Sequence, residues 1–250
     1  MARQKGILKI EGTIGGMTFY KTAQDGHLVR EKGGVDGARI ASDPAFVRTR
    51  ENGEEFGAAG AAGKLLRDSL RVLMMNASDG RVTSRLTQIM TDEVKLDTTS
   101  VRGKRTPAVG LGTVAGKALL KGFDFNISAV LGGILFKPYA VNTTTGVITI
   151  NGLVPINDIA FPAGATHMTI TGGYGNINFA TGVVDVKLTN VVNLAINATS
   201  GNVTLTPTAV PVGTGIKVYL LKIEFFQLVN TVQYSLKNGA YNALAIVEVA

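Results

Sequence analysis

Three regimes of hydrophobic spacing follow one another along the chain. From Ile7 to Lys32 apolar and polar residues alternate with period two, the spacing of half-buried strands. Ile7 to Ile14 reads as one strand, Gly15-Gly16 as a two-residue turn that needs positive φ, and Met17 to Thr22 as the return strand. A second turn at Gln24-Asp25-Gly26 leads into His27–Lys32, which predicts a three-stranded meander with a single core-facing side.

The period then lengthens. Ser42 or Asp43 can cap a free N–H, and Pro44 suits a first helical turn, so a helix is expected from about residue 44. Phe46, Phe56, Gly60, Gly63, Leu66, Leu70 and Leu73 recur at helical spacing, while Arg50, Glu54, Lys64, Arg67 and Arg71 fall elsewhere. Within it, Gly57-Ala-Ala-Gly60-Ala-Ala-Gly63 is costly, because an interior glycine disfavours a helix by roughly 1 kcal/mol relative to alanine. Two readings stay open: Gly57, Gly60 and Gly63 mark a close helix contact, or the helix breaks near Gly53 or Gly57. After the turn Asn76–Gly80, Val82, Leu86, Ile89, Met90 and Val94 predict a second helix ending near Leu96, and with it an α-hairpin.

Residues 97–116 turn to Thr, Ser, Gly and Pro with Arg102, Lys104 and Arg105, a composition that predicts a linker over 99–116. Beyond Lys117 short Val/Ile/Leu/Thr/Phe runs alternate with Asn, Gly and Pro, which predicts about eight or nine strands in an all-β sandwich, Ig-like or jelly-roll-like. The expected class is α+β, with modules at 1–98 and 117–250.

Charge sharpens that division. All of the chain's arginines lie before residue 106, and the net charge of +7 is concentrated there too. Lys64, Arg67 and Arg71 form one basic row and Arg81 with Arg85 another, candidates for anion contact, although Asp68, Asp79 and Asp92 are interspersed. The absence of cysteine excludes disulfides, thiolate metal sites and a cysteine nucleophile, and two histidines exclude a His-rich metal cluster. Gly63-Lys64 lacks the earlier glycine and the following Ser/Thr of a phosphate loop, and Gly110-Leu-Gly112-Thr-Val-Ala-Gly116-Lys117 follows no strand of a βαβ unit. His167, with Asp158 the nearest carboxylate in sequence, reads as a strand residue before a catalytic one. No run is long and apolar enough to span a bilayer, and the opening residues lack the apolar stretch of a secretory signal. The expectation is therefore cytoplasmic synthesis, with release or surface display only as part of an assembled particle.

The run Gly6 to Leu73 contains Gly12-Thr-Ile-Gly-Gly-Met-Thr-Phe-Tyr20, Leu28-Val-Arg-Glu-Lys-Gly-Gly34 and Asp43-Pro-Ala-Phe-Val-Arg-Thr-Arg-Glu-Asn52. With Phe225-Phe-Gln and Leu236-Lys-Asn-Gly-Ala-Tyr-Asn-Ala-Leu244 near the other end, it resembles a family of uncharacterised proteins from Bacteroidota. The resemblance implies no activity, cofactor or site residue.

The reading these patterns support is a non-enzymatic structural protein that self-assembles as a homo-oligomer, such as a phage virion or tail component or a filament subunit. No cofactor, metal, small-molecule substrate or membrane insertion is expected. Contact candidates are the glycines above, within the molecule or between copies, and the edges of the opening strand Ile7–Ile14 and the apolar closing strand Ala243–Val249, with Leu244, Ile246 and Val247; the closing strand reads equally well as an interior strand of its own sandwich. Two other readings remain: a nucleic-acid-binding protein that uses the Arg-bearing module, and a carbohydrate-binding or hydrolytic sandwich.

Overall fold

The computed structural model describes residues 2–237 and 239–250. The chain is α+β, and it divides into two compact units at Arg50/Glu51.

In the first unit β1 (Ala2–Arg3), β2 (Gly12–Ile14), β3 (Met17–Thr22) and β4 (Gly26–Glu31) form an antiparallel sheet in the order β1-β4-β3-β2. The two turns fall where they were expected, with Gly15 at φ 55° and Gly26 at φ 70°, conformations a side chain disfavours. The opening strand is shorter than its alternation predicts. Gln4 explains this: its Oε1 accepts the Ile10 N–H at 3.0 Å and its Nε2 donates to Leu28 O at 3.0 Å. Residues 5–10 are thereby closed into a loop, because a side chain takes the place of a strand partner. A short helix α1 (Gly37–Ser42) follows, capped by Asp36, and Asp43 accepts the Ala45 N–H at 2.9 Å to start a 3-10 turn at Pro44–Phe46.

Helix α2 (Val47–Ser69) opens at the end of this unit and runs unbroken through all its glycines. It is followed by α3 (Arg71–Met74), α4 (Val82–Leu96), α5 (Pro107–Leu111), α6 (Val114–Leu120) and α7 (Leu131–Ile134). The strands are β5 (Ala140–Val141), β6 (Ile148–Leu153), β7 (His167–Ile177), β8 (Val184–Leu188), β9 (Val192–Ala195), β10 (Gly201–Leu205), β11 (Ile216–Val229), β12 (Val232–Ser235) and β13 (Ala243–Val249), with a single turn α8 (Pro155–Asp158) between β6 and β7.

Strand β11 is the axis of the second unit. It pairs along one edge with β7, whose far edge carries β8 and β9, and along the other with β13 and then β12. A smaller sheet β10-β6-β5 packs on one face of this sheet through Ile148, Ile150, Val203, Leu205, Tyr219 and Phe225. The other face is covered by the helices, whose Leu66, Leu86, Met90, Leu111 and Leu120 share a core with Val218, Leu220, Leu244 and Ile246.

The two-sheet packing matches expectation, but the helical cover on the larger sheet was not foreseen. Nor do residues 99–116 behave as a linker. Residues 107–111 and 114–116 of that stretch are helical, Pro107, Gly110, Leu111 and Gly116 are buried, and its bases are clamped to α2. Arg102 pairs with Glu51 at 2.7 Å, Lys104 with Glu54 at 2.6 Å, and Arg105 with Glu55 at 2.7 Å through both Nε and Nη2. A polar, glycine-rich composition signals a flexible connection only when its charges have no partners. Here the partners stand about fifty positions earlier.

Candidate assembly surface

Alternation along β3 and β4 sorts the first sheet into two faces. Cross-strand partners Phe19↔Val29, Met17↔Glu31 and Lys21↔His27 share one face, and Ile14 (beside Met17) and Ala2 (beside Val29) extend it outward. The opposite face carries Thr18, Tyr20, Leu28 and Arg30, with the Arg30 guanidinium 5.3 Å from the Tyr20 ring centroid. Leu28 is the only buried residue among described residues 2–50. Ile14 and Met17 are 60% and 54% exposed, and the Gln4-fastened loop holds out Ile7 and Leu8 at 102% and 85%.

Of the glycines singled out for close packing, the structure places one against a neighbouring helix. Among the described residues nothing stands within 4 Å of a Cβ built on Gly57 or Gly60, so neither makes a close helix contact with them. Gly63 alone faces a neighbour, α4, at ordinary van der Waals distance from Leu86 and Met90. Among the helix glycines the tightest approaches lie instead at Gly110 and Gly116, where a Cβ would stand 2.1 Å from Glu93 O and 2.2 Å from Gly110 O.

Leu244, Ile246 and Val247 are core residues and not an exposed edge. Leu244 and Ile246 face the helices, and Val247 faces the smaller sheet. The outer edge of β13 is occupied too. Gly122 N–H donates to Ile246 O at 2.8 Å, Ile246 N–H to Phe123 O at 3.0 Å, and Phe125 N–H to Leu244 O at 2.8 Å. An apolar terminal strand is buried here because β11 takes one of its edges and residues 122–125 the other.

The basic rows separate into used and unused cations. Arg85 is committed to structure: it pairs with Asp79, donates to Asp124 O and Phe125 O, and lies 5.1 Å from the Phe123 ring centroid. Asp79 is held below the usual carboxylate range, because N–H groups of Ile127 and Arg81 and the Arg85 guanidinium outweigh its burial. The side chains of Lys64, Arg67, Arg71 and Arg81 have no ion-pair or hydrogen-bond partner among the described residues. Lys64, Arg71 and Arg81 are exposed and Arg67 is half-buried.

Three buried acids in the second unit were not anticipated. Burial disfavours the Asp97 charge, yet N–H groups of Ser100, Thr106 and Thr99 and the Thr99 hydroxyl hold its pKa far below the usual range. Glu55 is also lowered, by its bidentate bond from Arg105 and then by the Gly103 N–H. Glu93 is the reverse: fully buried between α4 and the glycines of α5 and α6, with neither oxygen hydrogen-bonded, it is pushed up to about 7 by burial and by Asp92. The one available signal in sequence was an acid on the apolar side of α4, beside Met90 and Val94.

The histidines stand apart from one another's chemistry. His167 Nδ1 is 3.0 Å from Thr166 Oγ1, and Asp158 instead accepts the Val154 N–H and pairs with Lys137 at 3.6 Å. His27 lies 3.7 Å from Glu11. Among the described residues no group of three His, Asp or Glu side chains is placed to hold a metal ion, and no helix is long and apolar enough to cross a membrane. Compared with protein-family models, with curated proteins and with solved structures, the chain matches none.

Proposed function

We propose that the protein is a non-enzymatic structural subunit that self-assembles, and that its first unit is the docking element. One observation carries this reading: a four-stranded sheet in which a single residue is buried while Ile7, Leu8, Ile14 and Met17 stand open. A sheet needs a second layer over an apolar face for independent stability, and a unit of about 50 residues is near the lower limit at which a chain can supply one. Such a unit gains its missing layer from a neighbour. The second unit, with its core on both faces of the larger sheet, acts as the rigid body that is carried into the assembly.

Sedimentation velocity and electron microscopy of the full chain over a wide concentration range test this. Concentration-dependent growth into oligomers, rings, tubes or filaments is expected. A monomer at high concentration overturns it.

A second reading is supported by Lys64, Arg67, Arg71 and Arg81, whose side chains have no partner among the described residues and whose exposed parts can meet phosphates. It requires nucleic-acid binding that weakens steeply with salt and with Arg67→Ala or Arg71→Ala. Binding insensitive to these changes removes it.

A further inference from the structure

The apolar face of the first sheet carries a lysine at one end and a glutamate at the other. Lys21 lies at one end, across from His27, and Glu31 at the other, across from Met17, with the Phe19–Val29 pair midway. Lys21 and Glu31 are both exposed and have no ion-pair partner among the described residues. Near the Lys21 end also stand the Arg3–Asp25 pair, at 2.8 Å, and Glu11, whose carboxylate is 3.7 Å from His27 and forms an ion pair with it only when the imidazole is protonated.

We infer that this face is an isologous interface, packed against the same face of a second copy about a two-fold axis. The axis lies between the two sheets and runs across the strands at the Phe19–Val29 pair. The inference rests on the self-assembly reading and names the partner for that same surface. Charge selects both the partner and the orientation. A two-fold across the strands reverses each strand over its counterpart, so Lys21 and His27 of one copy lie over Met17 and Glu31 of the other. A two-fold along the strands would instead bring the two Lys21 ends together and the two Glu31 ends together, which is repulsive. A partner of one charge sign could answer only one end of the face. In the reversed arrangement Phe19 and Val29 meet their own copies at the centre, flanked by Ala2, Ile14 and Met17, as an isologous contact requires.

The size of the face sets the strength of the contact. Four strands at about 4.8 Å and about five residues at about 3.3 Å cover roughly 300 Å² in projection. That is well below the roughly 800 Å² per partner of a stable complex. The pair alone is therefore a weak contact, populated only at high protein concentration. It becomes effective when other contacts of an assembly hold copies together.

Sedimentation equilibrium of the full chain tests the geometry through a charge exchange. Lys21→Glu and Glu31→Lys should each weaken association about fivefold or more, because each places like charges opposite one another across the axis. The double variant K21E/E31K should return to within about twofold of wild type, since both reversed charges again face opposites on the other copy. Both positions are exposed and are not cross-strand partners, so rescue cannot arise within one sheet. Phe19→Lys should abolish the pair, with circular dichroism checking that the chain stays folded. Single charge variants without effect, or a double variant as weak as the sum of its parts, overturn the proposed face. If association persists unchanged in all four variants, this face is wrong while self-assembly stands. If wild type is monomeric throughout, both fall.

Discussion

The first unit and the helices that follow it are built from similarly charged sequence, yet they solve opposite problems. In residues 51–105 every acid of the Glu51, Glu54, Glu55 set meets a base from the 102–105 stretch, and the apolar stripe of α2 and α4 closes on the larger sheet. In residues 2–50 the apolar stripe of the sheet closes on nothing within the unit, and only Leu28 is buried. The difference teaches that charge density does not mark a structural boundary. The fall in charge near residue 105 coincides with no break in the core, whereas the division at Arg50/Glu51 occurs inside uniformly charged sequence. What separates the units is whether apolar surface finds a partner in the same chain.

The contrast breaks if glycine substitutions behave alike in the two units. Gly110→Ala would drive a methyl to 2.1 Å from Glu93 O, so α5 must move away from α4. About 3 kcal/mol of lost stability is expected, at the upper end of overpacking costs, with a fall in Tm of roughly 6–12 °C by calorimetry. Gly16→Ala, in the first sheet with nothing within 4 Å, should shift the same transition by no more than about 1 °C. Equal shifts would mean that the tight α4–α5 approach is not part of the stable core.

Proton linkage gives a second effect of comparable size, confined to the second unit. The Glu93 carboxyl is raised from 4.5 to about 7 in the folded chain, so the native state holds its proton more tightly than the unfolded state does. The associated stability is full below about pH 4.5 and is lost as pH rises through about 7, amounting to roughly 3 kcal/mol when complete. Asp97 and Glu55 are shifted the other way, and their contributions are present near neutrality and lost only in acid, below the usual carboxylate range. Unfolding midpoints in urea between pH 5 and 8.5 should therefore fall with pH, and Glu93→Gln should flatten that slope. An unchanged slope in the variant would assign it to another group.

The smallest effect concerns the α2 glycines. With open space around Gly57 and Gly60, alanine at either position should stabilise the helix by roughly 0.5–1 kcal/mol. Stabilisation without a change in association would mark these glycines as surface positions. A loss of association would place them in a contact between copies.

Much of the local structure was legible, because local structure is set by neighbours in sequence. The period-two run with glycine turns at 15 and 26 specified β3 and β4, and the spacing of Val82, Leu86, Met90 and Val94 specified α4 almost to its last residue. The α+β class followed from those periods alone. The period was misleading where a side chain intervened, as Gln4 does at Ile10.

What the sequence by itself determined, then, is the kind of element at most positions and which face of each is apolar. Only the tertiary structure decided what each face meets. Whether β13 is an edge or an interior strand depends on β11 and on residues 122–125, and Ala243–Val249 alone contain no information about either. Whether 99–116 is a tether or a packed helical segment depends on Glu51, Glu54 and Glu55, whose pairing with residues 102–105 closes a loop of about fifty residues. Periodicity is a property of a few adjacent residues, whereas a core or a salt-bridge clamp is a property of chains brought together over long separations. The same limit hides the buried Glu93, since its cost depends on the glycines of two later helices that close around it.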